Sequence, residues 1–453
     1  MADKPTVVVG GGLAGIAAAL RLADAGRRVL LVEKRPRLGG EAFSFSRGDL
    51  VIDNGQHVFL RCCTAYQWFL RRIRAQHQVV LQDRLDIPIL SPDGRRARLR
   101  RTAGVPAPAH LGAALATYGV LGPADRARAV RGALALRVLN PRNRALDDRT
   151  LGQYLRAHGQ NDATIAALWG IVATATLNLD PDEASLALAA KVFRTGMLDS
   201  APAADVGYAA VPLGRLHDDG AAKALADAGV EVLADHAVRE VVPGVAVHLE
   251  GPRGAQELAS EAVILAVPHH ALAAVLPSVA ESPAGRATAL DSSPIVNVHV
   301  VYDRAVTDLP FAAAVNSPVQ WFFDRTDSSG LAGTRPGAQY LAVTVSAASG
   351  LIDEPSKQLL DRFVPELAQL LPRARGAEVI DAFVTRERRA TFRQAAGTWK
   401  LRPRTDEGPA GVWLAGAWTD TGWPDTMEGA VRSGVVAAEA AAGLPLDQRT
   451  EFG

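Results

Sequence analysis

The 453-residue chain is too long for one ordinary hydrophobic core, so two domains are expected. A hydrophobic fraction of 48% suits globular packing, and a net charge of +1 argues against a general nucleic-acid binder. Cys62 and Cys63 are the only cysteines and are adjacent, which excludes a disulfide framework. They read as a loop or helix feature.

The first apolar run starts at Thr6, so no signal peptide is expected. The longest uncharged apolar run, 263–280, is broken by Pro268-His269-His270 and reads as strand, turn and helix rather than a span. A cytoplasmic protein without a transmembrane helix is therefore expected. Residues 6–9 form a β-branched run that meets Gly10-Gly11-Gly12-Leu13-Ala14-Gly15. A helical pattern with Ile16, Leu20 and Ala23 on one face follows, Gly26 ends it, and a second strand, 29–32, leads into Glu33 and Lys34. Strand, Gly-rich turn, helix, strand and terminal acid arrive in register as one dinucleotide-binding unit. Gly10 permits the tight turn, Gly12 lets the backbone approach a pyrophosphate, and Gly15 lets the helix pack closely. The helix opens at Leu13 and Ala14 and offers free N–H groups to phosphates. Glu33 suits the ribose hydroxyls, and an acid there disfavours the 2′-phosphate of NADP.

Arg37-Leu38-Gly39-Gly40 resembles the R-x-G-G extension of amine-oxidase-like and phytoene-desaturase-like flavoproteins. The resemblance implies an extended FAD beside this backbone, with no metal. Asn54-Gly55 is a turn signal, and Gln56-His57-Val58-Phe59 follows it. His57 either holds this loop by hydrogen bonds or, as the resemblance implies, stands near the flavin ring.

Residues 86–101 read as a hairpin turning at Ser91-Pro92-Asp93-Gly94, with Arg95, Arg96, Arg98, Arg100 and Arg101 on its second arm. A short apolar run, 106–121, comes next. Charges of this kind either blunt a sheet edge or, beside such a run, mark a peripheral contact with a membrane surface. Residues 123–139 and 150–198 are mostly helical patterns. Within them 169–178 is almost uncharged, which suits buried packing and an apolar substrate cavity equally.

Residues 216–228 read as a helix, 230–233 as a strand, 237–242 and 245–249 as an antiparallel ribbon, and 262–268 as a buried strand. That order matches a two-dinucleotide-binding-domain flavoprotein, which implies an adenine contact for Val238. Four further strands, 295–302, 319–323, 339–346 and 379–385, are interrupted by a helical region, 355–371, whose continuity Pro365 limits. They are expected to form an antiparallel wall of the substrate cavity. Trp321, Phe322 and Phe323 alternate along a strand, so at most some of them line it.

The expected fold class is α/β, or α+β across the whole chain. A Rossmann-like FAD-binding domain (1–85, 205–290 and 396–447) joins a mixed substrate domain (86–204 and 291–395), with 448–453 as a tail. The strand 412–418 ends the cofactor-binding pattern and leads through Thr419-Asp420-Thr421-Gly422-Trp423-Pro424-Asp425 into Thr426-Met427-Glu428-Gly429-Ala430 and a helix. Asp425 or Thr426 suits the N-cap. Gly416, Asp420, Thr426, Met427, Glu428 and Ala430 are further candidates for flavin contact, with Asp420 directed at the ribityl or pyrophosphate part. The helix start would stabilise negative charge on a reduced flavin.

Both ends resemble the FAD bracket of the amine-oxidase and phytoene-desaturase superfamily. Asp53-Asn54-Gly55-Gln56-His57-Val58-Phe59, Thr64-Ala65-Tyr66, Leu177-Asn178, Ala184-Ser185 and the run 415–424 are similar to the hydroxysqualene dehydroxylases of hopanoid biosynthesis. That resemblance implies reduction of hydroxysqualene to squalene in an apolar cavity, with an unidentified electron donor to FAD. His57, Gln56 and Glu428 are the catalytic candidates. The same motifs suit an isoprenoid desaturase or an amine oxidase.

Overall fold

The computed structural model describes residues 4–244, 246–445 and 450–452. Val245 of the expected ribbon, 446–447 of the expected cofactor unit and 448, 449 and 453 of the tail lie outside the described residues. Thr6–Val9 pairs in parallel with Val29–Val32 on one side and Ala262–Leu265 on the other. Glu231–Leu233 and Val412–Leu414 extend this to a five-stranded parallel sheet. Its three central strands are buried at every position, which explains their uninterrupted apolar sequences. The helices Leu13–Asp24 and Met427–Ala441 pack together beside this sheet.

The second large sheet has seven strands, ordered Val379–Phe392, Ser292–Tyr302, Gln339–Val345, Trp321–Asp324, Phe311–Ala314, Asp86–Leu90 and Arg96–Arg100. It is antiparallel except where Ala313 and Ala314 run parallel to Ile89 and Leu90. The four expected strands are present. The predicted hairpin, paired from Asp86↔Arg100 to Leu90↔Arg96, proves to be this sheet's edge. Phe322 faces one core while Trp321 and Phe323 stack on the other side, ring centroids 6.3 Å apart. Pro365 does not interrupt the helix Ser356–Leu370.

Of the two readings of 95–121, sheet edge or membrane contact, the packing supports the sheet edge. Leu111, Ala114, Tyr118, Val120 and Leu121 are buried in the core. Arg95, Arg98 and Arg101 are engaged by Asp93, Asp86 and Asp205. Among the described residues no helix is long and apolar enough to cross a membrane. The ribbon has a third strand, Gly254–Leu258, and Val206–Ala209 joins Val58–Leu60 and Val79–Leu81 in a small sheet beside the His57 loop. Neither was anticipated.

Candidate cofactor and active site

A cavity of about 500 Å³ extends from the Gly-rich turn at Gly10 and Gly12 to Ala175, Val192 and Gly196 on the helical segments. At its first end each glycine does a different job. Gly10 has φ +108°, and a Cβ there would lie 2.5 Å from the Ala266 carbonyl oxygen. A Cβ at Gly15 would lie 1.8 Å from the Gly10 carbonyl oxygen, so Gly15 gives the helix clearance over the turn and does not itself line the cavity. Gly12 meets nothing closer than Gly40 Cα at 3.7 Å, which leaves its face open to a ligand.

No side chain caps the helix at Leu13, and its first turn carries no acid. The positive end therefore faces the cavity beside Leu13 and Ala14 without an internal counter-charge. Glu33 and Lys34 line the same end; the Glu33 carboxylate is fixed by accepting from the N–H of Gly11 (2.6 Å) and of Arg35 (2.8 Å). Gly39, Gly40 and Val238 complete it. Arg37, expected to contact the cofactor, instead donates to the Gly40 carbonyl (3.0 Å) and lies 3.6 Å over the Phe43 ring. It shapes the turn while Arg35 lines the cavity.

The middle of the cavity is built from both chain ends. Asp53 pairs with buried Arg325 at 2.7 Å, and Asn54 donates to Glu387 and to the Glu41 carbonyl. Asn297 on the large sheet donates to the Asn54 carbonyl at 3.0 Å. These bonds hold Gln56 and His57 against the cavity. Burial lowers the His57 pKa, so its ring is neutral near pH 7, and Gln56 Nε2 is buried without a protein partner.

From the C-terminal side come Gly416, Trp418, Trp423, Asp425, Thr426, Met427 and Ala430. Thr426 is the N-cap, its Oγ1 accepting from Gly429 N–H at 3.2 Å. Buried Arg402 ties the loop by donating to the carbonyls of Ala417, Trp418, Thr419 and Trp423. Burial pushes the Asp425 carboxyl up to about 6, although Phe392 N–H donates to it at 2.7 Å.

Two expectations fail here. Asp420 does not line the cavity; its carboxylate pairs with Arg144 at 2.5 Å. Glu428 lines it, but both carboxylate oxygens are committed, to the N–H groups of Ala65 and Tyr66 and to Arg432 Nε at 2.6 Å. These bonds tie the start of the helix Thr64–Arg72 to Arg432 through the Glu428 carboxylate. Trp321 and Phe323 do not line the cavity either, whereas Ala175, Thr176 and Asn178 of the uncharged segment do. Lys191 was not anticipated; its ammonium lies 4.3 Å from the Trp423 ring centroid.

An extended dinucleotide fits these residues. Open Gly12 and the uncapped helix start suit a pyrophosphate, Glu33 suits a ribose, and the Met427–Ala441 helix start at the far motif suits the ring. The chain matches the family described as flavin containing amine oxidoreductase over residues 13–442. It is 30% identical to a hydroxysqualene dehydroxylase of Rhodopseudomonas palustris over 96% of this chain and 98% of that one. A hydroxysqualene dehydroxylase of Sinorhizobium fredii is 29% identical over 97% and 98%. A zeta-carotene desaturase of Zea mays is 23% identical over 94% of this chain and 81% of that one. The fold is shared with cyclohexylamine oxidase from Brevibacterium oxydans, with a TM-score of 0.66 at 17% identity over 97% and 99% of the two chains. The chain belongs to the flavin-containing amine oxidoreductase family and is an FAD-dependent oxidoreductase.

Proposed function

We propose that the enzyme removes the hydroxyl of hydroxysqualene reductively, giving squalene and water. The observation that carries this reading is the similarity to hydroxysqualene dehydroxylases along nearly the whole of both chains. Residues 1–85, 205–290 and 396–447 would form the cofactor-binding unit, and the remainder up to 395 the substrate unit.

Bound in its reduced form, FAD would supply the hydride. The protein's part is to hold the substrate, keep water out and deliver one proton. Asp425 is the proposed donor: it lines the cavity, and its raised pKa keeps a large share of it protonated at mildly acidic pH. Protonation of the allylic hydroxyl lets the C–O bond break with loss of water. The carbon left electron-poor gains a C–H bond from the hydride, so one proton and one hydride are consumed per hydroxyl removed. Ala175, Val192, Ile295 and Phe392 supply apolar walls that would shield this carbon from water. A two-electron reductant outside the chain would restore the reduced cofactor.

The zeta-carotene desaturase relative favours a second reading, isoprenoid desaturation, with hydride running toward the cofactor. Amine oxidation rests on likeness of fold alone. An anaerobic single turnover separates them: the reduced enzyme is mixed with hydroxysqualene while flavin absorbance is followed and lipid is extracted. Reoxidation matched by squalene is expected. If the flavin stays reduced, the dehydroxylase reading is wrong, and the oxidised enzyme should be tried on squalene and longer polyenes.

A further inference from the structure

The helix Pro123–Arg137 departs from the rest of the surface. Its inner side is sealed by Ala129, Gly132 and Leu136. Its outer side carries Val130 and Leu134, continued by Val138 at the C-cap, with 46%, 53% and 79% of each residue exposed. They are the three most exposed large hydrophobic residues described, and their i, i+4, i+8 spacing puts them in one stripe. Scattered exposed apolar residues are ordinary; a stripe marks a contact.

The charges along this helix and the turn after it are mostly basic, and the acids beside them, Asp125 and Asp199, are held by Arg128 and Arg194. Between residues 122 and 146 there are six arginines and a single acid, Asp125, which Arg128 holds at 2.7 Å. Arg126 is turned inward to backbone carbonyls, and Arg144 is paired with Asp420. Arg131, Arg137 and Arg142 are exposed and pair with no carboxylate among the described residues. On a helical wheel Arg131 and Arg137 flank the stripe on opposite sides, and Arg142 follows its end. The helix also ends close to the cavity. Arg194 donates to the Leu139 carbonyl at 2.7 Å, and its neighbours Val192 and Thr195 line the cavity.

We propose that this face docks the enzyme on an anionic lipid bilayer, with Val130, Leu134 and Val138 at the headgroup boundary and Arg131, Arg137 and Arg142 on lipid phosphates. The helix is anchored to the core by its other side, and the exposed aliphatic stripe between guanidiniums that pair with no carboxylate offers apolar contact together with attraction to anionic headgroups. A protein interface of this size would present aromatic anchors, and the stripe has none. The proposal is independent of which apolar substrate the cavity takes.

The test is flotation of the full-length, FAD-loaded protein with vesicles of phosphatidylcholine alone or with about one-third phosphatidylglycerol. The wild type is expected to float with the anionic vesicles only. L134E/V138E and, separately, R131E/R137E/R142E should each lower that partition at least about tenfold. Flavin absorbance and Tm should hold, because all five side chains are exposed, and R131K/R137K/R142K should still float. Absence of wild-type flotation, or variants that float like the wild type, would overturn the proposal. So would a wild-type dimer that L134E/V138E converts to monomer without any vesicle binding, since the face would then belong to a second copy.

Discussion

Gly434 passes directly beside Ala14: a Cβ at Gly434 would stand 2.0 Å from the Ala14 carbonyl oxygen. The contact joins the last long helix to the first, and both begin at the cavity. The two halves of the cofactor bracket, far apart in sequence, are thus set against one another by one missing side chain.

Gly434→Ala should therefore do damage that an alanine normally does not do in a helix. The obstructing atom is backbone, so a helix must shift, at about 1–3 kcal/mol. Expected are a lower Tm and a lower flavin-to-protein absorbance ratio. Gly112→Ala is the control: a Cβ there meets nothing within 4 Å, and stability should hold or rise slightly. Equal effects of the two changes would refute the account.

Arg402 acts on the same region through hydrogen bonds. It is 2% exposed, and burial pulls its pKa down to about 10, yet it serves four carbonyls of the 417–423 loop. Arg402→Ala would leave those carbonyls without their donor and should cost about 3 kcal/mol or more. Arg402→Lys keeps the charge but lacks the planar fork, so it should recover only part. Thermal melts and flavin titration of the apoprotein would check both variants; full rescue by lysine would show that charge alone matters.

Asp425 gives a pH dependence with a definite sign. Its carboxyl is raised from 3.8 to about 6 in the folded protein, so between those values the native state holds a proton that the unfolded chain has lost. Stability from this group is present below about pH 4 and falls as pH rises through 6. Asp425→Asn should remove that slope and raise stability at neutral pH by about 1–3 kcal/mol. If Asp425 is also the proton donor, wild-type single-turnover rates should decline above about pH 6, and the asparagine variant should be inactive while keeping its flavin. An active asparagine variant would dismiss Asp425 as the donor and leave the stability argument standing.

How much of this was legible in the sequence depended on distance along the chain. The N-terminal unit is local: turn, helix and second strand are consecutive, so Gly10, Gly12 and Glu33 could be assigned roles from spacing. Glu428 could not, because the N–H groups that take its carboxylate belong to Ala65 and Tyr66, 363 and 362 residues away. Asp420 and Asp425 sit in one loop, and nothing in that loop's sequence says which acid faces the cavity and which meets Arg144. The addition of the hairpin as the sixth and seventh strands of the large sheet likewise depends on Ala313 finding Ile89, a pairing that neither strand announces. Between a sheet edge and a membrane contact for 95–121 hydropathy could not choose, because it cannot tell inward-facing Leu111, Tyr118 and Leu121 from outward-facing residues.

Gly12 and Gly15 provide a final contrast, since spacing treats them as one motif and the structure separates them. A Cβ at Gly15 collides with the Gly10 carbonyl at 1.8 Å, so Gly15→Ala must displace the turn itself and should impair folding. A Cβ at Gly12 has 3.7 Å to its nearest neighbour and would project where the ligand's phosphates are expected. Gly12→Ala should therefore fold with an apoprotein Tm close to wild type. Its FAD affinity should fall about tenfold to a hundredfold, the equivalent of about 1–3 kcal/mol of steric cost. Far-UV circular dichroism and melting of the apoproteins, followed by flavin titration, separate the two effects. A Gly12→Ala protein that binds FAD normally would show that the pyrophosphate does not approach this backbone.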